Sequence, residues 1–286
     1  MYEHIAEYRR GLMSLSDADR MVALYEDVWV PYEKWNSIRN AVETVLKMPS
    51  KSQALCLLVA GESGMGKTAM VDRLGHHYGL KEGVSNPCMV TLKLRAEVEY
   101  KKFKSLVFTA LTAGMKFSES NITDEVMLGA VRTLNIRAIG IDEIHNITLA
   151  TRPDVSKNLA FLRALGGSPF HISVIALGNE RAANALASDK QLVRRFEKFI
   201  LTPWRENLEF RSWLSGLQAT LPLKKPSNLA AETQVKFILK STNGTTDAII
   251  KLIERAAVWS IIKGVEAVDI EMLKLGSGPM PPLVKP

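Results

Sequence analysis

The stretch Gly61-Glu62-Ser63-Gly64-Met65-Gly66-Lys67-Thr68 satisfies the pattern G-x-x-x-x-G-K-[ST] at every position. Its flanks decide what it can become. Ahead of it, residues 54–60 form a continuous apolar run of strand length, the signature of a buried parallel strand. Behind it, residues 69–74 can open a helix. Strand, glycine bend and helix N-terminus in that order turn backbone N–H groups and the positive end of a helix dipole toward one point. A polyphosphate is the ligand such a point suits. Residues Gly61, Glu62, Ser63, Gly64, Met65 and Gly66 would cradle it, Lys67 would reach the β- and γ-phosphates, and the Thr68 hydroxyl would sit on Mg²⁺. The expected ligands are therefore ATP and Mg²⁺. The alternative, a chance match in a glycine-rich loop, would not need both flanks to be right.

Four more apolar runs have strand character: 88–94, 136–142, 172–178 and a short one at 199–202. Segments of helical periodicity lie between them, at 100–115, 124–134 and 155–165. Strands alternating with helices predict an α/β fold, a parallel five-stranded sheet flanked by helices with its ligand at the carboxyl edge of the strands. After Pro203 the strand pattern stops, and residues 206–217, 230–240, 246–263 and 268–273 read as helices. The expected organisation is a helical segment at 1–49, a nucleotide-binding domain at 50–204, a small helical subdomain at 205–275 and a proline-rich tail at 276–286.

The run at 136–142 ends in Asp142 and Glu143. At the carboxyl end of a strand in such a sheet, Asp142 would face the metal beside the phosphate loop. Glu143 would then polarise a water for in-line attack on the γ-phosphate. Taken alone, two acids at a strand end read equally well as solvated residues. Asn179, just past the run at 172–178, either holds the attacking water or caps the next helix.

A formal charge of +7 exceeds what nucleotide binding requires and favours a polyanionic partner such as DNA. Residues 1–20 are charged and polar, unlike a secretory signal, and no apolar run is long enough for a membrane span. Cys56 and Cys88 lack metal-ligand spacing, and two thiols inside apolar runs suit a reducing, cytoplasmic setting. His76, His77 and His145 are not grouped with other metal-ligand residues, and Ser63 has no paired base for nucleophilic chemistry.

Taken together, the phosphate loop, the strand ending Asp142-Glu143, the strand ending Asn179, the pair Arg194-Arg195 and the late helices resemble the AAA+ ATPases. Over about residues 25–270 the chain resembles the TniB family of transposition regulators, related to TnsC and more distantly to MuB. The echoes are Val30-Pro31-Tyr32 with Trp35, the loop itself, Ile141-Asp142-Glu143-Ile144-His145 and Leu192-Val193-Arg194-Arg195-Phe196. The resemblance implies an ATPase that assembles as a ring or helical filament on double-stranded DNA. It also implies recruitment of a DDE transposase, work alongside a target-selector protein, and disassembly on hydrolysis. An Arg of one subunit would complete the neighbour's site; Arg195 matches the family position best, with Arg194 the alternative. Val30 and Pro31 join the nucleotide-binding set. Tyr32 and Trp35 either wall the adenine or simply pack, and packing is the expectation for Trp35.

Ala248 stands where related lids carry an Arg, which implies slow hydrolysis by the protein alone. Lys101, Lys102 and Lys104, with Lys116 extending the track, are the candidates for sequence-independent phosphate contacts, with Phe103 turned into the core. A solvated basic helix face is the alternative. Two other AAA+ readings compete: a helicase loader or initiator similar to DnaA, DnaC or Orc proteins, and a signalling or secretion ATPase similar to ExeA. The first lacks support, since no helix-turn-helix region follows the late helices.

Overall fold

In a computed structural model, which describes residues 2–49, 51–80, 88–114, 123–187 and 189–283, the apolar runs pair into one parallel sheet of five strands in the order β2-β3-β4-β1-β5. The strands are β1 Cys56–Gly61, β2 Cys88–Lys93, β3 Ile136–Asp142, β4 Ser173–Gly178 and β5 Phe196–Leu201. Every residue of β1 and β4 is buried, as a strand covered on both faces requires. The fifth strand begins three residues earlier than its apolar run suggested. It is an edge strand whose Glu197 and Lys198 are exposed, and these two of its six residues interrupt the hydrophobic signal after Phe196.

Helices α2 Glu33–Lys47, α3 Lys67–Tyr78, α4 Tyr100–Leu111, α5 Asp124–Thr133, α6 Arg152–Leu165, α7 Glu180–Ala187 and the short α8 Lys190–Val193 alternate with the strands. The core joins Leu58, Val90, Ile139, Ile141 and Val174 of the sheet to Phe103, Val107 and Phe108 of α4 and Leu162 and Leu165 of α6. Two buried amides hold the loops at the carboxyl edge. Asn146 Nδ2 donates to Leu94 O at 2.9 Å and Asn158 Nδ2 to Val98 O at 3.0 Å, so the chain after β2 is tied to the chain after β3.

The chain divides into two units, Lys34–Thr202 with the sheet, and Met1–Glu33 together with Pro203–Pro286. The expected helical segment at 1–49 is therefore split. Its first part, which contains α1 Asp17–Ala23, shares a core with α9 Leu208–Gln218, α10 Glu232–Thr242, α11 Thr246–Ile262 and α12 Ile270–Gly276. An ion pair spanning most of the sequence lies within this unit. Arg20, 1% exposed, donates to Glu266 Oε1 at 2.6 Å and Oε2 at 2.8 Å and to Pro222 O at 2.9 Å. Burial raises the Glu266 pKa, but hydrogen bonds from Arg20 and Lys224 outweigh it and hold the carboxyl at about 2. Met21 and Leu24 of the same segment enter the helical core, and Trp204 stacks on Trp213 with centroids 4.8 Å apart.

Candidate functional site

The phosphate loop opens where β1 meets its neighbour. A Cβ at Gly61 would lie 2.8 Å from both Cβ and O of Leu201, so only glycine lets β5 run alongside. Gly64 and Gly66 take φ of 77° and 81°, left-handed values that bend the chain into α3, with Gly66 as N-cap. Helix α3 then begins at Lys67, so the first-turn N–H groups of a twelve-residue helix face the loop.

Lys67 is 6% exposed, and its Nζ donates to Gly61 O at 2.8 Å and Glu62 O at 2.7 Å. Burial lowers its pKa, and the nearby carboxylates of Glu143 and Asp142 act in the opposite direction. The ammonium thus sits inside the loop's curve. Thr68 Oγ1 donates to Asp142 Oδ2 at 2.7 Å. That carboxylate is 1% exposed, accepts Glu143 N at 3.0 Å on its other oxygen, and lies 3.9 Å from Lys93 Nζ. A buried acid and a hydroxyl in contact form a hard-oxygen pair of the kind Mg²⁺ takes, since that ion binds through one or two protein oxygens plus phosphate and water. The residues present fit the ion. Among the described residues no cluster of three or more His, Cys, Asp or Glu forms a metal site.

Glu143 adopts φ 55°, a left-handed conformation rare outside glycine, and starts a 3₁₀ turn over Ile144–Thr148. Its Oε2 lies 3.2 Å from His145 Nδ1 without hydrogen-bond alignment, so the contact is one of charge and only when the imidazole is protonated. Asn179 follows β4, whose Gly178 registers with Ala60 of β1, so it emerges beside the loop. Its Oδ1 caps α7 by accepting Arg181 N at 3.0 Å. The cap is made, and it uses the amide oxygen rather than Nδ2.

The two arginines are not at this edge. β5 pairs with β1 from Cys56↔Phe196 to Gly61↔Leu201, so Arg194 and Arg195 sit at the amino end of the sheet. Five strand steps, about 17 Å, separate that end from the loop. Arg195 is tethered, its Nη1 donating to Arg163 O at 2.8 Å, whereas Arg194 is exposed. Neither lies beside the phosphate loop of its own chain.

On α4, Lys101 and Lys102 are exposed and Phe103 is fully buried, while Lys104 Nζ pairs with Asp124 Oδ1 at 3.0 Å. Lys116 lies outside the described residues. Val30 packs in the helical unit, where a Cβ on Gly216 would come within 2.5 Å of its Cγ1; Pro31 belongs to that same unit. Tyr32 rests against Trp204 at 5.1 Å and Trp35 is buried in α2, so both rings are used in packing. Lys93 and His145 escaped sequence reading as neighbours of the acids. Finding Lys93 needed the Lys93↔Asp142 register, which no motif encodes.

The fold has wide company. The chain aligns with the Aeropyrum pernix ORC2 protein in its ADPNP-ADP complexes at 14% identity and TM-score 0.60, covering 89% of this chain and 70% of that one. The Aeropyrum pernix ORC1 protein in complex with DNA gives 14% identity and TM-score 0.59 over 90% and 68%. Cdc6p from Pyrobaculum aerophilum gives 15% identity and TM-score 0.60 over 86% and 67%. At such identities the likeness establishes the fold, that of AAA+ P-loop ATPases with a parallel five-stranded sheet flanked by helices. No curated protein matches the sequence. No helix among the described residues is long and apolar enough to cross a membrane. A family model described as TniB, "Bacterial TniB protein", matches residues 20–206, more than half of the chain, and the chain therefore belongs to the TniB family.

Proposed function

We propose that the protein is an ATPase that assembles as a homo-oligomer on double-stranded DNA and regulates transposition. Target DNA is engaged in the ATP state, a DDE transposase is recruited, and hydrolysis releases the assembly. The observation that carries the proposal is the contact between Thr68 and the buried Asp142, which joins the phosphate loop to the end of β3 at one point. Thr68 and Asp142 would hold Mg²⁺ there, and the ion would supply charge neutralisation for phosphoryl transfer.

The chain's own groups divide the remaining work. Lys67 supplies the cation for the phosphates, and the loop amides orient them. Glu143 takes the proton of the attacking water; its left-handed backbone is the kind of strained position that functional acids occupy. Asn179 offers Nδ2 to the same water while its oxygen stays on the cap. Since Arg194 and Arg195 are remote from their own loop, the arginine for the transferring group would be one lent to another copy. Arg194, exposed, suits that task better than the tethered Arg195, although the sequence alone favoured the latter. Ala248 lies in the first turn of α11, where Lys251 is paired with Asp247 at 2.8 Å. Hydrolysis by the protein alone is accordingly slow.

Sedimentation with long duplex DNA tests the reading. Co-pelleting should require ATP and persist in Glu143→Gln, whose turnover should fall about 100-fold or more. Pelleting that ignores nucleotide, or normal turnover in Glu143→Gln, would refute it.

A further inference from the structure

We infer that the sheet-bearing unit holds a second anion site, at the amino edge of the sheet, for a phosphate group on a small molecule or polymer. A cavity of about 250 Å³ opens there between the end of α2 and the starts of β1, β3 and β4. Lys51, Arg137, His171, Arg194 and Arg195 line it, and no Asp or Glu does. Cations brought together without an acid repel one another, and a bound anion removes that cost.

Two further observations point to a ligand. The buried Arg195 Nε and His171 Nδ1 both lack a hydrogen-bond partner among the described residues. Buried polar nitrogens left in this way are rare, and each is a place where a bound oxygen would be expected. The guanidinium groups are also fixed in advance. Arg195 Nη1 is held by Arg163 O at 2.8 Å and Arg137 Nη2 by Met48 O at 2.6 Å. Planar donors immobilised before binding suit the flat, multi-oxygen face of a phosphate. The space well exceeds one water, and Val45 and Leu55 give it an apolar wall, so the phosphate can carry a body.

This site is distinct from the phosphate loop, at the opposite end of β1, and its anion is held by Lys51, Arg137, His171 and Arg195 of one chain, which leaves Arg194 at its rim for a neighbour's nucleotide. The probe is pyrophosphate, titrated calorimetrically into full-length Lys67→Ala protein so that the loop is silenced. One pyrophosphate should bind per chain. Arg137→Gln should weaken it about tenfold, and Lys51→Ala, at an exposed position, about threefold without risk to folding. Absence of binding, or binding indifferent to both substitutions, would overturn the site. Competition then names the source: displacement by a short DNA duplex identifies a backbone phosphate, and displacement by AMP alone identifies a free phosphorylated ligand.

Discussion

The contact between Thr68 and Asp142 can be tested as an energy. The hydroxyl and carboxylate oxygens are 2.7 Å apart and the acid is 1% exposed, so this is a charge-assisted hydrogen bond shielded from water. Such bonds contribute about 1.5–3 kcal/mol. Thr68→Val removes the donor at nearly constant shape, and Asp142→Ala removes the acceptor. Each single change carries extra terms: a stranded acceptor in the first, a cavity in the second. The cavity term is common to both backgrounds and cancels in a double-mutant cycle, whereas the stranded acceptor exists only while Asp142 is present and stays in the coupling, which should be about 1.5–3 kcal/mol. The assay is hydrogen exchange at the amides of β1 and β3 without nucleotide, which reads opening of the sheet unit apart from the helical one. The cycle should then be repeated on ATP affinity with and without Mg²⁺, where either substitution alone should remove most of the metal dependence. A coupling below about 0.5 kcal/mol would mean that the two side chains do not meet, and the metal site built on them would fall.

Further outcomes follow from other parts of the chain. Lys101→Ala with Lys102→Ala should reduce the salt slope of DNA binding by about 1.8, while Lys104→Ala should change it little because that ammonium is already paired with Asp124; equal effects would place the DNA elsewhere. Burial first, then Asp247 and Asp27, push the Glu254 carboxyl up to about 7 from an ordinary 4.5. Below pH 4.5 it is neutral folded or unfolded, so stability should fall as pH rises from 4.5 to 7. Above pH 7, Glu254→Gln should be more stable than the parent by about 1–3 kcal/mol in urea titration, and no gain would refute the assignment. Gly244 holds φ 70° with a Cβ position 2.3 Å from Trp204 O, so Gly244→Ala should cost about 2 kcal/mol and lower Tm by about 4–8 °C; an unchanged Tm would show that the turn relaxes freely.

What the sequence revealed depended on how local each feature was. The loop could be read because glycine positions, the Lys67-Thr68 pair and both flanks all lie within residues 54–74. Four strands were visible as buried runs, whereas β5 was partly hidden because Glu197 and Lys198 face solvent on an edge. Features made by distant residues were silent. The Arg20–Glu266 pair, separated by 246 positions, joins the start of the chain to the late helices, and no periodicity in residues 1–49 could announce it. The same holds for Lys93 beside Asp142, which needed the order of strands. Arg194 and Arg195 were found as a pair, but that Arg195 is tied to Arg163 O while Arg194 is exposed could not be read from them. Val30 and Tyr32 were noticed as a motif, and their packing against Gly216 and Trp204 became apparent only with the helical core in place.

Equilibrium binding of ATP, with magnesium present, to the intact chain and to Lys67→Ala bears most directly on the nucleotide site. Withdrawing an ammonium that is 6% exposed and already seated inside the loop should weaken binding about 100-fold, from one ATP per chain in the parent protein. Equal affinity in the two proteins, or no binding to either at millimolar ATP, would contradict the account.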